Sequence, residues 1–142
     1  MTGKVVFDTS TLMSAALRPD SIPDRALTLA LGVYRLCASA EAIAELQRVL
    51  KRPRFDSYVD LDSRLSLVEN IRSHALFFIV SDSLRLDLRG SYRDAEDEFL
   101  LALALTSQCD VLVSSDHDLL VLHPWRGIAI LTPAQFLKQF DL

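Results

Sequence analysis

The chain has 142 residues, half of them hydrophobic and 24% charged, with a net charge of −4. That length suits one ordinary domain, predicted here over residues 1–142, and the apolar content excludes a disordered polymer. The negative balance excludes attraction to nucleic acid by overall charge, so any such binding needs a local basic patch. No apolar run approaches the roughly 18 residues of a membrane helix. Met1-Thr2-Gly3-Lys4 leads straight into an apolar run with no signal peptide. A soluble, cytoplasmic protein is predicted. Cys37 and Cys109 lie beside apolar runs without metal-binding spacing, and read as buried, reduced thiols.

Lys4 to Phe7 is a short unbroken apolar strand, as in a parallel sheet covered on both faces. Thr9 to Leu17 follows as a helix, interrupted by Arg18-Pro19-Asp20-Ser21. Ser21 caps a predicted helix over Asp24 to Leu31, with Pro23 in its first turn and Gly32 ending it. Val33 to Ala38 makes a second strand. Ser39 then caps a helix carrying Ile43, Leu46, Val49 and Leu50, which Lys51-Arg52-Pro53 stops. Leu61, Leu65, Val68, Ile71 and Ala75 mark an amphipathic helix capped by Asp60 or Asp62. Leu76 to Val80 is a third strand, and Ser81 to Tyr92 the longest irregular connection.

Asp94 is an N-cap, and Phe99 to Leu105 is apolar on nearly every side, as in a buried helix. Val111 to Val113 is the fourth strand, ending in Ser114-Ser115-Asp116-His117-Asp118. His123 to Gly127 is a turn, Ile128 to Leu131 a fifth strand, and Thr132-Pro133 the start of the last helix. Alternating strands and helices predict an α/β fold, a three-layer α/β/α sandwich around a parallel sheet of about five strands.

Carboxylates stand where apolar runs stop or helices begin: Asp8, Glu45 (with Glu41), Asp97 (with Asp94) and Asp116 (with Asp118). Each has a plain structural explanation. Asp8 suits a turn after a strand, Glu45 an exposed helix face, Asp97 a helix start and Asp116 an N-cap. Taken together, they would converge at one edge of a parallel sheet, where ligands bind in such folds. Several carboxylates in one cleft raise each other's pKa unless a counter-charge is present. Mg²⁺ or Mn²⁺ fits an oxygen-rich donor set with few His or Cys ligands, and such a site suits phosphodiester hydrolysis. His117 reads as a surface or substrate-contacting residue rather than a ligand.

The chain resembles the PIN-domain nucleases, most closely small prokaryotic toxins of toxin–antitoxin pairs. The resemblance rests on VVFDTSTLMSAAL, ASAEAIAELQRVLKRPRF, RDAEDEFLLALALTSQCDVLVSSDHDLL and ILTPAQFL, in that order. It implies a Mg²⁺- or Mn²⁺-dependent endoribonuclease of cytoplasmic RNA, commonly a homodimer masked by an antitoxin protein. It assigns Asp8, Glu45, Asp97 and Asp116 as catalytic metal ligands, and Asp118 as a further carboxylate for a second ion or its water. One departure stands out. The family's first motif is usually Asp-Thr-Asn, whereas this chain has Asp8-Thr9-Ser10, and serine reaches less far and offers one donor.

Ser10 and Ser115 are candidate substrate or ligand contacts. The basic run Arg48 to Phe55, with Arg52 at its centre, is either a solvated helix end or a surface for the RNA backbone or an acidic partner. Arg93, beside Asp94, is a second candidate phosphate contact. Trp125 reads as packed against the last helix. The apolar helices Ile22 to Leu31 and Leu61 to Phe78 are candidate partner surfaces. Two rival readings remain. Asp8-Thr9-Ser10-Thr11 partly imitates the D-x-D-x-T motif of haloacid-dehalogenase-type phosphatases, without its second aspartate. A catalytically degenerate fold kept as an RNA- or protein-binding module is the other.

Overall fold

The computed structural model describes residues 3–92 and 94–139. Five strands, β1 (Lys4–Phe7), β2 (Arg35–Ala38), β3 (Leu76–Phe77), β4 (Val111–Val113) and β5 (Ala129–Leu131), pair in parallel in the order β3-β2-β1-β4-β5. Val5 stands opposite Val111 and Phe7 opposite Val113, so β1 and β4 end level with each other.

Alternate residues of each strand face opposite layers. Val5, Phe7, Leu36, Ala38, Val111 and Val113 join one core. That core is closed by α1 (Thr9–Leu17), α2 (Ile22–Val33), α3 (Ala40–Leu50), α4 (Leu61–His74) and α8 (Pro133–Lys138). Val6, Cys37, Leu112 and Ile130 join the other, under α5 (Asp82–Leu88), α6 (Ala95–Ser107) and α7 (His117–Leu120). Helices therefore cover both faces of the sheet, in the predicted α/β sandwich. Cys37 and Cys109 are buried free thiols.

Helix starts follow local side-chain chemistry. Asp8, Ser21, Ser39, Asp60, Asp94, Asp116 and Thr132 each accept a hydrogen bond from a backbone N–H of the first turn. Thr132 and Gln135 form a reciprocal capping box. Arg126 and Gly127 both take positive φ, 49° and 82°, in the two-residue turn that lets Trp125 pair with Ile128.

The structure departs from expectation in four places. The 81–92 connection contains a helix, α5, capped by Ser81; only Leu88 of its residues is buried, so its apolar periodicity is faint. Strand β3 keeps only Leu76 and Phe77, because it is an edge strand that peels away, leaving Ile79 90% exposed. Helix α2 begins directly after its cap and runs through Gly32 to Val33, which delays β2 to Arg35. Trp125 is buried, but in the layer opposite α8, where its Nε1 donates to the Tyr92 hydroxyl at 2.8 Å. Among the described residues no helix is long and apolar enough to cross a membrane.

Candidate functional site

The strand order creates the site. From β1 the chain moves outward through β2 to β3, then returns to place β4 on the other side of β1. The point where strand order reverses lies between the carboxyl ends of β1 and β4, and that is where open α/β sheets form ligand crevices. Asp8 follows β1 and Asp116 follows β4, and the Asp8 N–H donates to the Val113 carbonyl at 3.0 Å.

Asp8 is only 6% exposed, and both of its carboxylate oxygens are engaged. Oδ1 accepts from Thr11 N at 2.8 Å and, more loosely, from Ser10 Oγ at 3.4 Å. Oδ2 accepts from the buried Ser114 hydroxyl at 2.5 Å. The same Ser114 oxygen accepts from Asp116 N at 2.9 Å, so one hydroxyl ties the two strand ends together. Ser114 was not singled out from sequence. It directly continues a buried strand, which is the signal that distinguishes it from exposed Ser115.

Asp97 sits in the first turn of α6 and is 9% exposed. Burial, reinforced by the charges of Asp116, Asp94, Asp118 and Asp8, pushes its carboxyl up to about 6. Four other aspartates therefore bear on one half-enclosed point. A cleft of about 470 Å³ is lined by Asp8, Ser10, Glu45, Asp97 and Asp116, and a recess of about 260 Å³ reaches Asp97 from the Asp118 side. Asp116 spends one oxygen capping α7, through Asp118 N at 3.0 Å.

Glu45 lines the cleft too, but its carboxylate is exposed and engaged by Arg48 through Nε at 2.9 Å and an η-nitrogen at 2.5 Å. That hydrogen bond holds its pKa below the usual glutamate range. Glu41, one turn earlier, lines the same cleft. Arg52 lies outside the cleft lining, at the start of the 3-10 turn Pro53–Phe55, where its charge is still felt by Glu45. Ser115 and His117 are exposed. Arg93 lies outside the described residues.

The donor set is hard oxygen. Among the described residues no three acidic, His or Cys side chains form a ready-made ligand cluster for one ion. Mg²⁺ commonly takes one or two carboxylates and keeps several waters, so the residues present fit such an ion without a closed cage.

A PIN domain family model matches residues 4–118. No curated protein matches the chain. Solved structures of the same fold include PAE2754 from Pyrobaculum aerophilum, with TM-score 0.63 and 17% identity over 96% of this chain and 88% of that one. VapBC2 from Rickettsia felis, solved bound to a promoter DNA fragment, has TM-score 0.60 and 14% identity over 89% and 96%. VapBC-5 from Mycobacterium tuberculosis, described as a member of the VapBC family of toxin–antitoxin systems, has TM-score 0.52 and 20% identity over 92% and 98%. The family match spans the β1–β4 edge and every carboxylate of the cleft, and this chain belongs to the PIN domain family.

Proposed function

We propose that this protein is a Mg²⁺- or Mn²⁺-dependent endoribonuclease, the toxin of a toxin–antitoxin pair, acting as a homodimer on cytoplasmic RNA. The observation that carries the reading is the convergence of Asp8, Asp97, Asp116 and Asp118 at the β1–β4 switch point, within a PIN domain. A bound divalent ion would polarise the scissile phosphate and lower the pKa of an attacking water. The protein's own contribution is orientation. Ser114 and Thr11 N hold the Asp8 carboxylate, the α7 cap holds Asp116, and burial keeps Asp97 from bulk water. Glu45 and Glu41 would bind or orient from the α3 side, once Glu45 leaves Arg48. An antitoxin partner is supported by the likeness to VapBC-5.

The phosphatase alternative lacks its general acid, because Ser10 stands where the D-x-D motif has its second aspartate. The Glu45–Arg48 pair gives the binding-module reading its one specific support. Incubating purified protein with single-stranded and structured RNA in Mn²⁺, Mg²⁺ or EDTA separates the readings. Metal-dependent scission is expected. Cleavage that persists in EDTA sinks the metal mechanism, and metal binding without turnover favours the module.

A further inference from the structure

The cleft is lined by seven acidic side chains and, among the described residues, by one cation, Arg85 of α5. A polyanion entering such a cleft needs more than a metal ion to offset the surrounding charge. Among the described residues Arg54, Arg85 and Arg126 each stack on an aromatic ring, and of these three Arg85 lines the cleft. Arg48 pairs with Glu45, and Arg72 with Glu69, each three residues back on its helix. Asp82 stands three residues before Arg85 at the same spacing, yet among the described residues Arg85 forms no ion pair with it or with any cleft carboxylate. Its guanidinium lies instead over the ring of Phe99, 5.2 Å from the centroid. A guanidinium seated on an aromatic face keeps its in-plane N–H donors available to an anion.

A second cavity of about 570 Å³ adjoins the first, sharing Arg85, Ala95 and Phe99 with it. Its lining adds Arg89, exposed and about one turn beyond Arg85, together with the carboxylates of Asp82 and Glu98. Arg89 is the C-cap of α5, where a cation also meets the negative end of the helix dipole. Four residues advance about 6 Å along a helix axis, a step on the scale of one nucleotide in an extended strand.

We propose that Arg85, on its Phe99 seat, and Arg89 hold successive phosphates of a single-stranded RNA as it leaves the carboxylate cleft, so that α5 sets the strand's path past the scissile bond. This rests on the nuclease reading above. The structured part of the 81–92 segment is then a binding element, and Arg85 the residue that joins it to the reaction centre.

The test is steady-state cleavage of a short single-stranded RNA by Arg85→Ala, Arg85→Lys and Arg85→Ala/Arg89→Ala. It is paired with fluorescence-anisotropy binding of the same RNA in an Asp116→Asn background. Arg85→Ala is expected to raise KM about tenfold with kcat nearly unchanged, and the double variant more, since each is a phosphate contact. The slope of log Kd against log salt should fall by about 0.7 for each arginine removed. Arg85→Lys should retain the salt slope while losing part of the affinity. Mn²⁺ binding by calorimetry and the far-ultraviolet spectrum should match the parent, which shows the fold and the carboxylate site intact. Unchanged KM and salt slope in the double variant, with cleavage retained, overturn the proposal and leave the nuclease reading standing. Absence of RNA binding and cleavage in the unsubstituted protein removes both.

Discussion

Two buried charges in this molecule are treated in opposite ways. Arg64 of α4 is fully buried, yet it comes with a counter-charge, pairing with Asp56, and one of its η-nitrogens reaches the Arg52 carbonyl at 3.5 Å. Its Nε alone lacks a partner. The pair fastens the 3-10 turn to α4, and the charge is compensated within the chain. Asp97 is enclosed on one side only, yet its neighbours are four more aspartates, and the only cation lining the cleft among the described residues sits on a ring instead of a carboxylate. A charge that serves the fold brings its partner along. A charge left uncompensated marks a place where the partner comes from outside.

The largest effect should come from removing one of the uncompensated charges. Asp8→Asn keeps a good N-cap for α1 and the same shape, so the melting temperature should stay close to the parent's. RNA cleavage should nevertheless fall by at least about 10²-fold, roughly 3 kcal/mol of transition-state stabilisation. Retained cleavage would show that the negative charge of Asp8 is not what the site uses. In the compensated region the signature reverses. Asp56→Ala leaves a buried guanidinium without its counter-charge and should cost about 2–3 kcal/mol in urea denaturation, with cleavage per folded molecule unchanged. Arg64→Met, which removes the buried charge but keeps apolar volume, should be less damaging than Asp56→Ala; the opposite ranking would mean that the ion pair itself is the stabilising element.

Asp97 allows the comparison to be read as a pH profile. Its carboxyl titrates near 6 in the folded protein against about 3.8 in the unfolded chain. The native state therefore binds the proton more tightly, and metal-free stability should fall as pH rises between about 4 and about 6. Asp97→Asn should remove that slope and raise metal-free stability at neutral pH by about 1–2 kcal/mol after allowance for screening, while abolishing cleavage. Thermal melts in EDTA at both ends of the window check the sign. A parent protein whose metal-free stability rises across the window would mean that another group dominates.

Much of this was legible locally. The apolar runs ending at Asp8 and before Asp116 exposed both strand ends, and caps such as Ser21, Ser39 and Thr132 are matters of a few neighbouring residues. The resemblance supplied the family and the set of acidic positions. What escaped depends on distance. That β4 lies beside β1 is a pairing across more than a hundred residues, and it brings Ser114 to Asp8, 106 positions earlier in the chain. Helix α5 was missed because one buried leucine carries no periodicity, and Arg85 with it, since its Phe99 seat lies on another helix. Trp125 was assigned the wrong layer because strand alternation does not extend through the turn that carries it.

The smallest effect tests the departure from the family pattern. Ser10 reaches Asp8 Oδ1 at 3.4 Å, a long contact, while Thr11 N and Ser114 make the short ones. Asp8 is thus already oriented by a backbone donor and a buried hydroxyl, and a longer amide at position 10 can add little to it. Ser10→Asn should therefore raise kcat by no more than a few-fold, under about 1 kcal/mol, with KM and Mn²⁺ affinity near the parent's. The same substitution in a Ser114→Ala background should help more, because there the amide replaces an orienting donor that has been lost. A gain of two orders of magnitude from Ser10→Asn alone would mean instead that Asp8 is poorly held in this chain, and that the uncompensated edge is a site in decline.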